Sequence, residues 1–279
     1  MEKEINNEKF DIILIAGQSN AEGCGLGEDK FEFVLDNDIM IMRGFFEALM
    51  KKSECGNTYL DFKFSDEYKI SNADYIFNND NQKTGCFAFS FAKEYKANWL
   101  EKGRKILIVH TAIGGTGFAS NHWGVDDCVY KRMIKMVNYA LGLNSENRLV
   151  AFLWHQGERD CIENEYFSDV ERQDFYYRNL TQMLTTFRDK FGNLPFISAG
   201  FTRKWRERYP SQCQAIYDGT QRVVNEQGNA AFITQTEDLK SNMEMLGNQD
   251  EVHFCKEALS ILGLRYYNEW LKLKNRIIS

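Results

Sequence analysis

The chain has 279 residues, 34 Lys and Arg against 40 Asp and Glu, and a formal charge of −6. With 43% hydrophobic and 27% charged residues it has the makeup of a soluble globular protein, which excludes a disordered chain, a collagen and a small disulfide scaffold. The acid excess argues against a broad nucleic-acid face, and no apolar run approaches the ~20 residues of a membrane span. The seven cysteines (24, 55, 86, 128, 161, 213 and 255) are odd in number and lack a CxxC pair, so reduced structural thiols are expected. The polar N-terminus has no basic leader ahead of the short apolar run at Ile12–Ala16, which gives a cytoplasmic expectation. Only His110, His122, His155 and His253 can supply an imidazole.

In chain order, the first element is the run Asp11–Ala16, a strand that meets Gly17. Residues 24–84 break the rhythm; they alternate at Leu60, Phe62 and Phe64 and predict an insertion of one or two short strands and long loops. Further apolar runs at Lys105–His110, Leu149–Trp154, Pro195–Ser198 and Ala230–Thr234 suit strands buried on both faces of a parallel sheet. Helical spacing appears between them. Tyr130, Met133, Ile134, Val137 and Leu141 form one stripe, and Leu180, Met183, Leu184, Phe187 and Phe191 another that Gly192 can stop. Ser211 after Pro210 can cap a helix ending at Gly228, and Leu259, Leu262, Tyr266 and Trp270 share a face of the last one. Alternating strands and helices predict one α/β domain with a central parallel sheet of about five strands, in which ligands sit at the carboxyl ends of the strands.

The unusual polar residues fall at those ends. Gly17-Gln18-Ser19-Asn20 puts a serine on a tight strand-to-helix turn, where a nucleophilic hydroxyl would be exposed among backbone N–H groups; a plain helix cap fits it equally well. Ile113-Gly114-Gly115-Thr116 lets the backbone approach a ligand closely. Trp154-His155-Gln156-Gly157-Glu158-Arg159-Asp160 admits Gln156 as an amide donor, His155 as a base, or His155, Glu158 and Asp160 as metal ligands, beside a structural ion pair through Arg159. The metal option is the poorest, because alternate residues at a strand end diverge. Asp250 stands three residues before His253, a spacing that lets the carboxylate hold one ring nitrogen and leave the other as a base. Together these blocks can supply a nucleophile, a base, its orienter and oxyanion donors.

The stretches GQSNAEG at 17–23, AIGGTGF at 112–118, WHQGERD at 154–160 and DEVHF at 250–254 resemble, in order, those of the SGNH hydrolase superfamily. More narrowly they are similar to its carbohydrate O-acetylesterase branch, which includes sialate O-acetylesterases and acetylxylan esterases of carbohydrate esterase family 6. The resemblance implies a flavodoxin-like three-layer α/β/α sandwich over residues 1–279, inserted at about 24–84. It also implies deacetylation through an acyl-serine with neither metal nor cofactor. By position, Ser19, His253 and Asp250 match the triad, and Ser19, Gly115 and Gln156 the oxyanion hole. Gln18, Asn20, Thr116, Trp123 and Glu158 fall where substrate-binding or supporting residues are expected, Trp123 as a sugar-stacking wall and Glu158 as an orienter. Ala21 stands where many relatives carry Met, a change of packing only. The implied partner is a small or oligosaccharide acetyl ester, with no nucleic acid or membrane. A lipid or thioester hydrolase and a non-catalytic carbohydrate-binding protein are the alternatives on the same fold.

Overall fold

A computed structural model describes residues 5, 8–31, 33–52, 58–74, 76–77, 82–163 and 165–278. In chain order the elements are β1 (Phe10–Gly17), α1 (Ser19–Glu22), β2 (Ile39–Lys52), β3 (Thr58–Asn72), β4 (Ile76–Phe77), β5 (Lys83–Thr84) and α2 (Phe87–Trp99). There follow β6 (Lys105–His110), α3 (Cys128–Gly142), β7 (Arg148–His155), α4 (Glu158–Ile162), α5 (Asp169–Phe191), β8 (Phe196–Ala199) and α6 (Arg203–Arg208). The chain closes with α7 (Pro210–Gln227), β9 (Ala230–Ile233), α8 (Asn242–Leu246) and α9 (Lys256–Ile278).

β1 is buried along its whole length because it is central: it pairs in parallel with β6 on one side and β7 on the other. Its side chains alternate between two cores. Ile12 and Leu14 face Met133, Leu180 and Val223 from α3, α5 and α7. Ile13 and Ile15 face Phe87, Phe91, Leu259 and Trp270 from α2 and α9. The result is the expected three-layer α/β/α sandwich, and all five expected strands are present as β1, β6, β7, β8 and β9. The Gly192 and Gly228 stops also stand where the sequence places them.

The sheet nevertheless has seven strands, ordered β3-β2-β6-β1-β7-β8-β9. The two extra ones come from the insertion, which holds the expected short strands, as β4 and β5, and in addition a long hairpin that the alternation does not predict. Ile39–Arg43 of β2 pair in parallel with Ile106–His110, and β3 pairs antiparallel with β2 over almost its full length. Beyond Arg43 the hairpin leaves the sheet and continues past its carboxyl edge as a two-stranded arm. Arg132 of α3 anchors it, donating from Nη2 to Gly44 O at 2.8 Å, with its guanidinium over the rings of Phe46 and Phe64. Gly44 gives the guanidinium room, since a Cβ would lie 2.8 Å from Arg132 Nη2 and displace it. Burial pushes the Arg132 guanidinium down to about 10.

Candidate active site

The site is assembled where β1, β6 and β7 end. Gly17, at φ +127°, closes β1 against β7 so tightly that a Cβ would stand 2.0 Å from His155 O. Gln18 N then donates to that same carbonyl at 3.0 Å and begins α1. Ser19 is thereby held in the first turn of a helix, where backbone N–H groups have no intrahelical acceptor. It is 8% exposed. The β6 loop is stitched to the same turn by Thr111 N to Ile15 O at 3.0 Å and Ile113 N to Gly17 O at 3.1 Å. These bonds lay Gly114 against Ser19: a Cβ on Gly114 would be 3.5 Å from Ser19 Cβ. Gly114 N is taken by Glu22 Oε2 at 2.7 Å. Burial pushes the Glu22 carboxyl up, against the pull of that N–H and of His253. Gly115 follows at φ +72°, and its N–H has no acceptor among the described residues.

His253 lies on the loop before α9. Its Nδ1 is 2.9 Å from Asp250 Oδ2, and its backbone N donates to Asp250 Oδ1 at 3.1 Å. Burial alone would raise the Asp250 carboxyl, but the His253 ring, the Asn242 amide and the His253 N–H together hold it below the usual aspartate value. Asn242 is a supporting residue that sequence reasoning missed. Fully buried, it donates to Asp250 Oδ2 at 2.8 Å and to Cys24 O at 3.0 Å, while its backbone N bonds His253 O at 2.8 Å. The available signal was the capping box of Ser241 and Glu244, which starts α8 and sets Asn242 in its first turn.

Asn20 brings the serine turn and the histidine loop together. Its Nδ2 donates to Val252 O at 3.0 Å and to Glu158 Oε1 at 2.6 Å, and its Oδ1 accepts from Phe254 N at 3.0 Å. Glu158 Oε1 is also 3.4 Å from His155 Nε2, and Nδ1 of that ring is 3.3 Å from the Tyr266 hydroxyl. Burial would push Glu158 up, but His155 and the Asn20 amide bring it below the ordinary glutamate value. No hydrogen bond joins Ser19 Oγ to His253 among the described residues.

The four histidines separate clearly. His110 is buried against Glu22 O and pushed down to about 4 by desolvation, and His122 bonds Leu60 O at 3.1 Å. His155 is completely buried. His253 is part-exposed and bound to a carboxylate through one nitrogen.

Gln156 differs from the simple expectation of a free donor. Its Nε2 lies 2.6 Å from Asp160 Oδ2 and 3.2 Å from both Gln18 Oε1 and Thr116 O, so its hydrogens already face acceptors. Asp160 is pushed up to about 6 by burial, opposed by the Ala119 N–H, the Gln156 amide and the Phe118 N–H. Gln18 Oε1 also accepts from Arg159 N at 3.0 Å, which ties α4 to the serine turn. Thr116 donates to Ile113 O and accepts from Trp123 Nε1, both internal bonds. Trp123 is not a sugar-stacking wall. It is 0% exposed and packs edge-on against Trp154 at 5.0 Å, because the loop after Gly117 turns its ring into the core. The wall beside Gly115 is instead the insertion: Leu60 Cδ1 lies 3.5 Å from where a Gly115 Cβ would be. Among the described residues no group of three or more His, Cys, Asp and Glu side chains is placed to share a metal ion, and no helix is long and apolar enough to cross a membrane.

The fold recurs in known proteins. No curated protein matches the chain significantly in sequence. Among solved structures it is similar to NanS, with 18% identity and a TM-score of 0.70 over 96% of this chain and 98% of that one. It is also similar to a protein from Arabidopsis thaliana, with 17% identity and a TM-score of 0.67 over 95% and 98%. XAC1771, a carbohydrate acetylesterase from Xanthomonas citri, aligns at 16% identity and a TM-score of 0.56 over 93% of this chain and 55% of its own. These likenesses establish the fold. The family model described as "Carbohydrate esterase, sialic acid-specific acetylesterase" matches residues 9–272. With nearly the whole chain matched, the protein belongs to that family and is a carbohydrate O-acetylesterase.

Proposed function

We propose that the enzyme removes acetyl groups from a sugar hydroxyl through an acetyl-Ser19 intermediate. His253 Nε2 takes the Ser19 proton as Oγ attacks the acetyl carbonyl, and Asp250 on Nδ1 fixes the tautomer and stabilises the imidazolium that forms. The N–H groups of Ser19 and Gly115 receive the oxyanion. Gln156 would join them as a third donor by releasing Thr116 O or Gln18 Oε1. Collapse of the tetrahedral adduct expels the sugar oxygen, which takes the proton from His253. Water then attacks the acetyl-serine with His253 again as base, releasing acetate. What carries this reading is the 2.9 Å contact of Asp250 with His253 Nδ1, on a loop that the neighbour of Ser19 binds on either side of the histidine.

The substrate is an acetylated sugar of the sialic acid or xylo-oligosaccharide type. The family description and the acetylesterase among the similar structures support that class. The test is hydrolysis of a chromogenic acetyl ester by wild type and Ser19→Ala, with and without EDTA, followed by a series of longer acyl esters. Full activity in Ser19→Ala would overturn the acyl-serine mechanism, and loss with EDTA would favour metal chemistry. An inactive wild type that still binds acetylated sugars would favour a binding protein. Faster turnover of long acyl chains would favour a lipid or thioester substrate.

A further inference from the structure

Asn20 makes more of its side chain than a helix residue beside a nucleophile needs. Its amide bonds the two backbone groups that straddle His253, Val252 O and Phe254 N, each at 3.0 Å. A side-chain amide used in this way imitates a neighbouring strand, fixing the peptide planes on both sides of one residue. The direction of the His253 Cα–Cβ bond follows from those two planes. The Asn20 amide is itself oriented. Glu158, below the usual glutamate value and therefore an acceptor, stands 2.6 Å from Nδ2. A carboxylate there forbids the flipped amide, because Oδ1 would then face it. Nδ2 must point to Glu158 and Val252 O, and Oδ1 must receive Phe254 N–H. His155, 3.4 Å from Glu158 and 3.3 Å from the Tyr266 hydroxyl, seats the carboxylate in turn, and Tyr266 donates to Trp154 O at 2.8 Å. Every member of this chain is almost completely buried.

Given the acyl-serine reading above, on which this rests, we infer that Asn20 is a positioning residue for the general base. Oriented by the His155–Glu158 pair, it sets the His253 loop in register with the adjacent Ser19. This gives the imidazole the fold buries most deeply an indirect part in the reaction: it stabilises the charge that orients the amide that aims the base. Nothing else among the described contacts binds the backbone on both flanks of His253. Asp250 holds the ring and the His253 N–H, and Asn242 holds Asp250 and the His253 carbonyl.

The test uses Asn20→Ala and Glu158→Gln in the full-length enzyme. Four quantities are read: kcat and KM on p-nitrophenyl acetate, the melting curve, and the low-field proton resonance of His253 Nδ1–H bound to Asp250. A misaimed base predicts a fall in kcat of about 10–100-fold for Asn20→Ala, with KM changing less than about threefold. The low-field resonance should shift or be lost by exchange. Glu158→Gln keeps the shape but lets both amides flip, so its kcat should fall by about 3–10-fold. Asn20→Ala with kcat within twofold of wild type, or with an unmoved low-field resonance, would overturn the inference. So would a kcat loss that only follows the folded fraction. If Asn20→Ala does not fold, Glu158→Gln decides in the same way: wild-type kcat or an unmoved resonance overturns it. The resonance needs no turnover, so failure of the acyl-serine mechanism, read with Ser19→Ala, stays distinct from failure of this positioning role.

Discussion

The two ends of β1 treat buried polarity in opposite ways. At the amino end Asp11, 0% exposed, accepts from Arg104 Nε at 2.7 Å, Arg148 Nε at 2.7 Å and Tyr95 Oη at 2.7 Å. Its oxygens are all used, and the cluster locks β1 to α2, β6 and β7. At the carboxyl end, the Ser19 and Gly115 N–H groups and His253 Nε2 have no hydrogen-bond partner among the described residues. Burying polar groups costs stability unless they are paired, so the satisfied end serves folding, and the open N–H groups at the other end are what the proposed oxyanion hole requires. The same strand carries both, which is why Ser19 is rigidly placed although it lies on a short turn.

Substitutions at the carboxyl end should change rate and leave folding nearly intact. Ser19→Ala removes the proposed nucleophile and should lower turnover of an acetyl ester by on the order of 10⁴-fold or more, with an unchanged melting temperature. Asp250→Asn should cost on the order of 10³-fold in kcat, since the amide can favour the wrong tautomer of His253; the ratio of kcat to wild type across pH reads this directly. Gln156→Ala should cost on the order of 10²-fold if the amide turns to the oxyanion. A change under threefold would assign Gln156 to the Asp160 network alone.

The amino end should behave in reverse. Asp11→Ala takes the carboxylate from the Arg104 guanidinium, which keeps only the Phe10 and Glu146 carbonyls among the described residues, and should lower unfolding free energy by about 3 kcal/mol, with kcat per folded molecule unchanged. Burial alone would raise the Asp11 carboxyl, but Arg148, Tyr95 and Arg104 hold it below the usual range. The sign follows: its contribution is complete above the unfolded value near ~4 and is lost as pH falls through the lower folded value. The stability gap between wild type and Asp11→Asn, measured by denaturant titration, should therefore be flat above about pH 5 and close below about pH 4. A gap that widened on acidification would break the comparison.

How far the sequence reveals this depends on the region. The five core strands are legible because each is a continuous apolar run ending in glycine or polar residues, a pattern that burial on both faces produces. The arm is not. Only Ile39, Ile41 and Met42 of β2 are buried in the sheet region, and the strand then runs on with exposed residues of both kinds, so no single period survives. The α2 helix is hidden for a related reason: Phe87, Phe89 and Phe91 alternate like a strand, yet all three are buried between β1, α9 and the neighbouring loop. Trp123 beside the paired glycines reads equally as a ligand wall or as core, and only packing against Trp154 decides. Asn242 stands eight residues before Asp250, with no local pattern connecting them.

The sequence by itself determines the order of the four polar blocks, the strands that present them, the family and the pairing of Asp250 with His253, because each depends on residues close in the chain or on burial periodicity. Tertiary structure alone decides that Asn20 reaches Val252 and Phe254, 232 and 234 positions away, and that Glu158 lies over 138 residues of chain to orient it. It also decides that Gln156 already has acceptors and that the insertion, rather than Trp123, stands beside Gly115. Those contacts arise only when β1, β7 and the last loop end on one edge of the same sheet. Hydrogen-bond partners brought together by strand order have no spacing in the chain from which to be read.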